Sequence, residues 1–209
     1  MVAAEQQANP EAYQAIEIVP RDYLAQLNLS ELFPNADAAF EVDLGSGYGT
    51  LVLSMAAAHP DRNYLAVERQ LERVRSLCRK AHRKGLKNLR VLHLEIAYTV
   101  NYLLPPGSVS ILHLMFPDPW PKRRHHKRRL VCPDFLNAAH RALAPLGELR
   151  FATDYEPYFT ASEALLLADV RFHRAEWPVD QPYLQTDFER IFSRQGKDIY
   201  RLRLIKGRL

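Results

Sequence analysis

From about residue 39 to residue 205, short apolar runs alternate with longer segments whose apolar residues recur at helical spacing. The runs at 40–44, 63–68, 89–94 and 109–115 predict four strands, and 148–153, 170–175 and 199–205 predict three more. Between them, 50–58, 71–84, 97–104, 133–143 and 156–167 predict helices, with Pro133 at a first helical position where its missing N–H costs nothing. Strand and helix in alternation mean an α/β fold, a mainly parallel seven-stranded sheet with helices on both faces. Before residue 39 the pattern weakens. Tyr13, Ile16, Ile18, Val19, Tyr23, Leu24 and Leu27 predict one or two short helices, so 1–38 reads as an N-terminal extension packing on a single domain at 39–209.

Composition changes this picture little. With 209 residues, 47% hydrophobic and 25% charged, the chain has enough apolar surface for one buried core. Two cysteines, Cys78 and Cys132, make no disulfide framework and suggest a reduced, cytoplasmic protein. The N-terminus carries acids rather than a basic stretch before an apolar one, and no apolar run is long enough for a membrane helix. No Cys/His spacing suggests a metal site. The net charge of +4 is too mild to identify a partner.

Local charge says more. The run at 109–115 ends in Phe116-Pro117-Asp118-Pro119-Trp120-Pro121, a stiff segment that cannot continue a central strand. Lys122, Arg123, Arg124, His125, His126, Lys127, Arg128 and Arg129 follow with no acid among them, which is the electrostatic footprint of a phosphate backbone. Most charge runs are merely solvated surface, but this one adjoins the carboxyl end of a parallel strand, where such sheets bind ligands. Trp120 either stacks on a base or fills the core of its own loop.

A second cluster starts at Asp43-Leu44-Gly45-Ser46-Gly47-Tyr48-Gly49, between a strand and a helix. Its glycines let the backbone turn sharply and approach a ligand. The third glycine comes one residue too early for a dinucleotide fingerprint, which argues against an oxidoreductase. An acid beside the turn repels pyrophosphate but suits a cationic amino-acid group, such as the methionyl end of S-adenosylmethionine (SAM); a purely structural turn is the alternative. Glu68 ends the next strand 19 residues after Gly49, the spacing of an acceptor for ribose hydroxyls. Glu95, after the third strand, is placed to accept from an adenine amino group. Methylation of an exocyclic amine in nucleic acid and RNA binding without catalysis both stay compatible with these residues.

With these motifs together, the chain resembles the bacterial tRNA (guanine-N7-)-methyltransferases, class I SAM-dependent enzymes with a Rossmann-like fold. The carriers are the Phe116 to Trp120 loop with Lys122 and His125 to Arg129, Ala152-Thr153-Asp154-Tyr155, and Thr186-Asp187-Phe188-Glu189. The resemblance implies SAM contacts at Asp43, Gly45, Gly47, Glu68, Glu95 and Asp118, with Asp118 also catalytic. It implies guanosine or tRNA contacts at Lys122, Asp154, Thr186, Asp187, Phe188 and Glu189. Arg123, Arg124, Lys127, Arg128 and Arg129 would hold the RNA backbone. Three positions depart from the family: Asp43 stands where it has Glu, Glu95 where it has Asp, and Asp187 where it has a basic residue. The implied product is 7-methylguanosine at position 46 of tRNA. No metal, membrane or obligate protein partner is expected, and the protein should be a monomer or homodimer.

Overall fold

The computed structural model describes residues 15–178 and 186–207. In chain order the strands are β1 (Glu17–Ile18), β2 (Phe40–Leu44), β3 (Asn63–Glu68), β4 (Leu89–His93), β5 (Val109–Met115), β6 (Leu143–Thr153), β7 (Phe172–Ala175) and β8 (Tyr200–Lys206). The helices are α1 (Leu29–Leu32), α2 (Thr50–Ala58), α3 (Leu71–Arg83), α4 (Ile96–Tyr98), α5 (Pro133–Ala142), α6 (Glu156–Leu167) and α7 (Asp187–Arg194). The strands form one sheet in the order β1-β4-β3-β2-β5-β6-β8-β7. Pairing is parallel from β1 through β6, and β8 runs antiparallel to both β6 and β7.

Side chains on β2 alternate between two differently filled faces. Val42 and Leu44 join Leu65, Leu112, Leu114, Leu149 and Phe151 in a core beneath α5 and α6. On the opposite face Ala66, Val91, Met115 and Ala152 pack against Leu51 and Val52 of α2 and Leu77 of α3. Burying one such aliphatic side chain is worth about 1.5–3 kcal/mol. Glu41 also points to this second face and is buried there. Its carboxylate accepts from Arg62 at 2.8 Å and lies 2.8 Å from His113 Nε2 on β5. Burial pushes the Glu41 carboxyl up, but the hydrogen bonds and charges of His113 and Arg62 outweigh it and hold the group at about 2.

The seven expected strands are present, and five details differ from the sequence pattern. Residues 16–18 do not form a helix: Glu17 and Ile18 pair with Val91 and Leu92 on the free edge of β4, making an eighth strand. The edge offers backbone groups that a two-residue segment meets without any periodicity of its own. The helix expected at 97–104 starts at Ile96 and widens into a π-helical turn over Thr99–Leu103, whose carbonyls receive the Arg141 guanidinium. Leu143 opens β6, so the expected turn at Pro145-Leu146-Gly147 is an irregularity inside a strand, with Leu146 at φ +63°. The basic run forms a 3-10 turn over Arg123–Arg128. Finally, Asp187–Arg194 is a helix.

Candidate functional site

Asp43, Glu68, Glu95, Asp118 and Asp154 lie at the carboxyl edge of the parallel strands, because parallel pairing turns the ends of β2 to β6 the same way. The floor of the site is the glycine turn. Gly45, Gly47 and Gly49 have φ of +85°, +58° and +81°, a region that L side chains rarely enter. At Gly49 a Cβ would stand 2.1 Å from Leu77 Cδ1, so α3 packs directly on the turn. Glu68, buried at the end of β3, accepts the Gly47 N–H at 3.0 Å and the Gln70 N–H at 2.8 Å. One oxygen therefore holds the glycine turn and the other holds the start of α3.

A cavity of about 290 Å³ opens above this floor. Its walls include Asp43, Ser46, Thr50 and Met115, and on the far side Thr186, Asp187, Phe188 and Ile191. Asp43 is buried, and burial pushes its carboxyl up to about 6; His113 pulls it down, while Glu68 adds to the rise. The buried Ser46 hydroxyl has no hydrogen-bond partner among the described residues, and a Cβ at Gly47 would meet only open space. An acid, an idle hydroxyl and an uncovered glycine turn suit a ligand group bearing both an ammonium and a carboxylate.

Outside the cavity the edge is open. Glu95 and Asp118 are 65% and 70% exposed, and the Arg69 guanidinium bridges them at 3.6 Å and 3.9 Å. Asp118 sits in a loop held between two strained residues, Phe116 at φ +54° and Trp120 at φ +44°. Such backbone costs about 1–3 kcal/mol per residue and needs local support. Phe116 has it from its N–H bond to Ala152 O (2.8 Å) and from ring packing with Phe188 and Phe192. Trp120 lies under Arg128, 5.0 Å from its ring centre, and edge-on to His125, so it fills the core of its own loop.

Lys122, Arg123, Arg124, Lys127 and Arg128 are exposed beside this loop. Arg129 differs: it donates to Pro119 O at 2.9 Å and lies over the Tyr158 ring, so it fastens the loop to the body. Asp154 accepts from Lys197 at 2.7 Å. Glu189 is buried, ion-paired with Arg201, and its second oxygen has no hydrogen-bond partner among the described residues. Thr186 caps α7 by accepting the Glu189 N–H at 3.1 Å, and Asp187 accepts from Thr50 Oγ1 at 2.6 Å. The structure thus brings Thr186, Asp187 and Phe188 to the cavity with Asp43 and the glycine turn, and turns Glu189 away from it.

Sequence reasoning missed several contributors to the site, Arg73 and Met115 among them. Thr50 and Arg69 carry no motif of their own, and Ser46 is hidden among the glycines of its turn. A signal for Ile191 did exist: Thr186-x-x-Glu189 before Ile191 and Phe192 is a capping-box pattern that predicts the helix.

A family profile described as "Putative methyltransferase" matches residues 37–202. A tRNA (guanine-N(7)-)-methyltransferase of Halorhodospira halophila is 41% identical over 186 residues, 85% of this chain and 80% of the relative. Its namesake in Sodalis glossinidius is 34% identical over 194 residues, 88% and 80% of the two chains. Among solved structures, a 16S rRNA (adenine(1408)-N(1))-methyltransferase of Catenulisporales acidiphilia with cosubstrate SAM superposes with a TM-score of 0.58 at 21% identity, covering 83% of this chain and 88% of that one. The 16S rRNA methyltransferase KamB gives 0.61 at 22% identity, with 81% and 88% covered. These two are likenesses of fold.

Proposed function

Because this chain belongs to the tRNA (guanine-N7-)-methyltransferase family, we propose that it methylates N7 of a guanosine in tRNA from SAM, with position 46 of the variable loop as its target. The observation that carries this reading is the Phe116 to Trp120 loop, which presents an exposed Asp118 between a cavity suited to an amino-acid group and a basic turn. SAM, when bound, supplies an electrophilic methyl group on a cationic sulfur.

The residues present fit that cofactor. Asp43, Ser46 and the turn at Gly45 and Gly47 would hold its methionyl end. Glu68 ties the turn to the end of β3 through the Gly47 N–H and is the residue nearest in role to a ribose acceptor. Glu95 would accept from the adenine amino group.

No side chain here needs to act as a base, since guanine N7 offers a lone pair and carries no proton. Positioning by the loop and the cavity walls therefore carries much of the rate. Asp118 would lie between cofactor and base, where its carboxylate would stabilise the positive charge developing on the imidazole ring. Asp154 is the acceptor for the N1–H and amino donors of guanine once freed from Lys197, while Glu189 stays paired with Arg201 and orients α7. Lys122 and the exposed arginines and lysine of the 3-10 turn hold phosphates and orient the RNA without reading its sequence.

The test is transfer of labelled methyl from SAM to unmodified tRNA, followed by borohydride reduction and aniline cleavage. Cleavage at one variable-loop guanosine is expected. Label without cleavage would mean an amine or ring-nitrogen target other than N7, and binding of tRNA without label would mean a non-catalytic protein.

A further inference from the structure

The far wall of the cavity contains a residue that the family pattern does not explain. Asp187 stands where the family carries a basic residue, and the sequence assigns it to the RNA. In the structure it lines the same cavity as Asp43, Ser46 and the glycine turn, with its carboxylate tied to the first residue of α2 by the 2.6 Å bond from Thr50. Resting on the reading that the cavity holds SAM, we propose that Asp187 is a cofactor-binding residue, whose carboxylate serves the α-ammonium group of the methionyl end and makes no contact with tRNA.

Three observations converge on this. First, α7 is locked in orientation: Thr186 caps it, Phe188 packs on Phe116, and Glu189 is drawn to Arg201 on β8. Residues two apart on a helix point to opposite sides, so anchoring Glu189 inward at β8 turns Asp187 toward the glycine turn. Second, the Thr50 bond engages one oxygen of a carboxylate that has about four acceptor positions, leaving it able to receive a ligand N–H. Third, the cavity also holds the unpartnered Ser46 hydroxyl, an acceptor or donor for the other half of an amino-acid group. A cation at 187 would face the cationic end of such a ligand, whereas Asp187 complements it. The reversal of charge therefore follows the sign of the ligand in the cavity rather than that of the RNA.

The experiment is calorimetric titration of the full chain with SAM, with S-adenosylhomocysteine, and with an S-adenosylhomocysteine analogue lacking the α-amino group, alongside tRNA mobility shifts. For Asp187→Asn we expect roughly tenfold weaker binding of the first two, the size of a lost hydrogen bond to a charged group. The des-amino analogue should bind wild type and variant alike, and tRNA affinity should not change. Asp187→Glu, which keeps the charge, should restore most of the loss, and Thr50→Val, which keeps the carboxylate, should cost less than Asp187→Asn. Unchanged S-adenosylhomocysteine affinity with weakened tRNA binding would return Asp187 to the RNA and overturn the proposal. A loss that persists with the des-amino analogue would overturn it too, by showing that the residue acts only through the placement of α7. Wild type that binds neither SAM nor S-adenosylhomocysteine would instead defeat the underlying functional reading.

Discussion

Asp43 is where burial and ligand charge oppose each other most directly. Its carboxyl, pushed up to about 6 by burial, with His113 opposing and Glu68 reinforcing the rise, is largely protonated at pH 5 and largely ionised at pH 7. A cationic group binds the ionised form, so cofactor binding releases a proton in this range and affinity rises with pH. Calorimetry should find SAM binding roughly tenfold tighter at pH 7 than at pH 5 and level above that, with the slope abolished in Asp43→Asn. Asp118 presents the opposite case, an exposed acid whose importance lies in where its loop holds it. Asp118→Ala should lower single-turnover methyl transfer by about 100-fold, the scale of one lost electrostatic contact in a transition state. SAM affinity in that variant should change far less. Wild-type turnover would defeat the assignment.

Among the elements, the glycine turn is the most tightly constrained. Any Cβ at Gly49 must enter the left-handed region and meet Leu77 at 2.1 Å, against the first turn of α2. Left-handed backbone costs about 1–2 kcal/mol and overpacking a further 1–3 kcal/mol. Gly49→Ala should therefore lower stability by about 3 kcal/mol in urea denaturation. Leu77→Ala added to it should cost less than the two single changes summed, because it removes the clash. The turn and both of its flanking elements were legible in the sequence, since glycines and apolar runs are local signals. α7 was legible in principle through its capping box, but its short apolar stretch of Ile191 and Phe192 made a weak period. No local rule predicts β1, because a two-residue strand exists only through its neighbour β4.

Across the whole molecule, the parallel sheet gathers the cavity, the Asp118 loop and the 3-10 turn at one edge. The basic turn lies outside the cavity, whose lining carries Asp43 and Asp187 together with Arg73, so RNA and cofactor meet different surfaces. Replacing Arg123, Arg124 and Lys127 together by Gln should weaken tRNA binding and reduce the slope of log affinity against log salt by about 2. SAM binding should not change, and an unaltered salt slope would show that the turn does not touch phosphate. Hydrophobic periodicity by itself determined the seven strands, their helices and therefore the strand ends where chemistry gathers. The glycine spacing and the charge run by themselves marked the two halves of the site. Tertiary structure decided what each carboxylate does with its oxygens. Glu68 clasps a loop, Glu189 pairs with Arg201, Asp154 pairs with Lys197, and Asp187 joins the cavity wall through Thr50. Periodicity is a property of neighbouring residues, whereas an ion pair or hydrogen bond between Thr50 and Asp187 exists only once the packed sheet has brought distant segments within 3 Å.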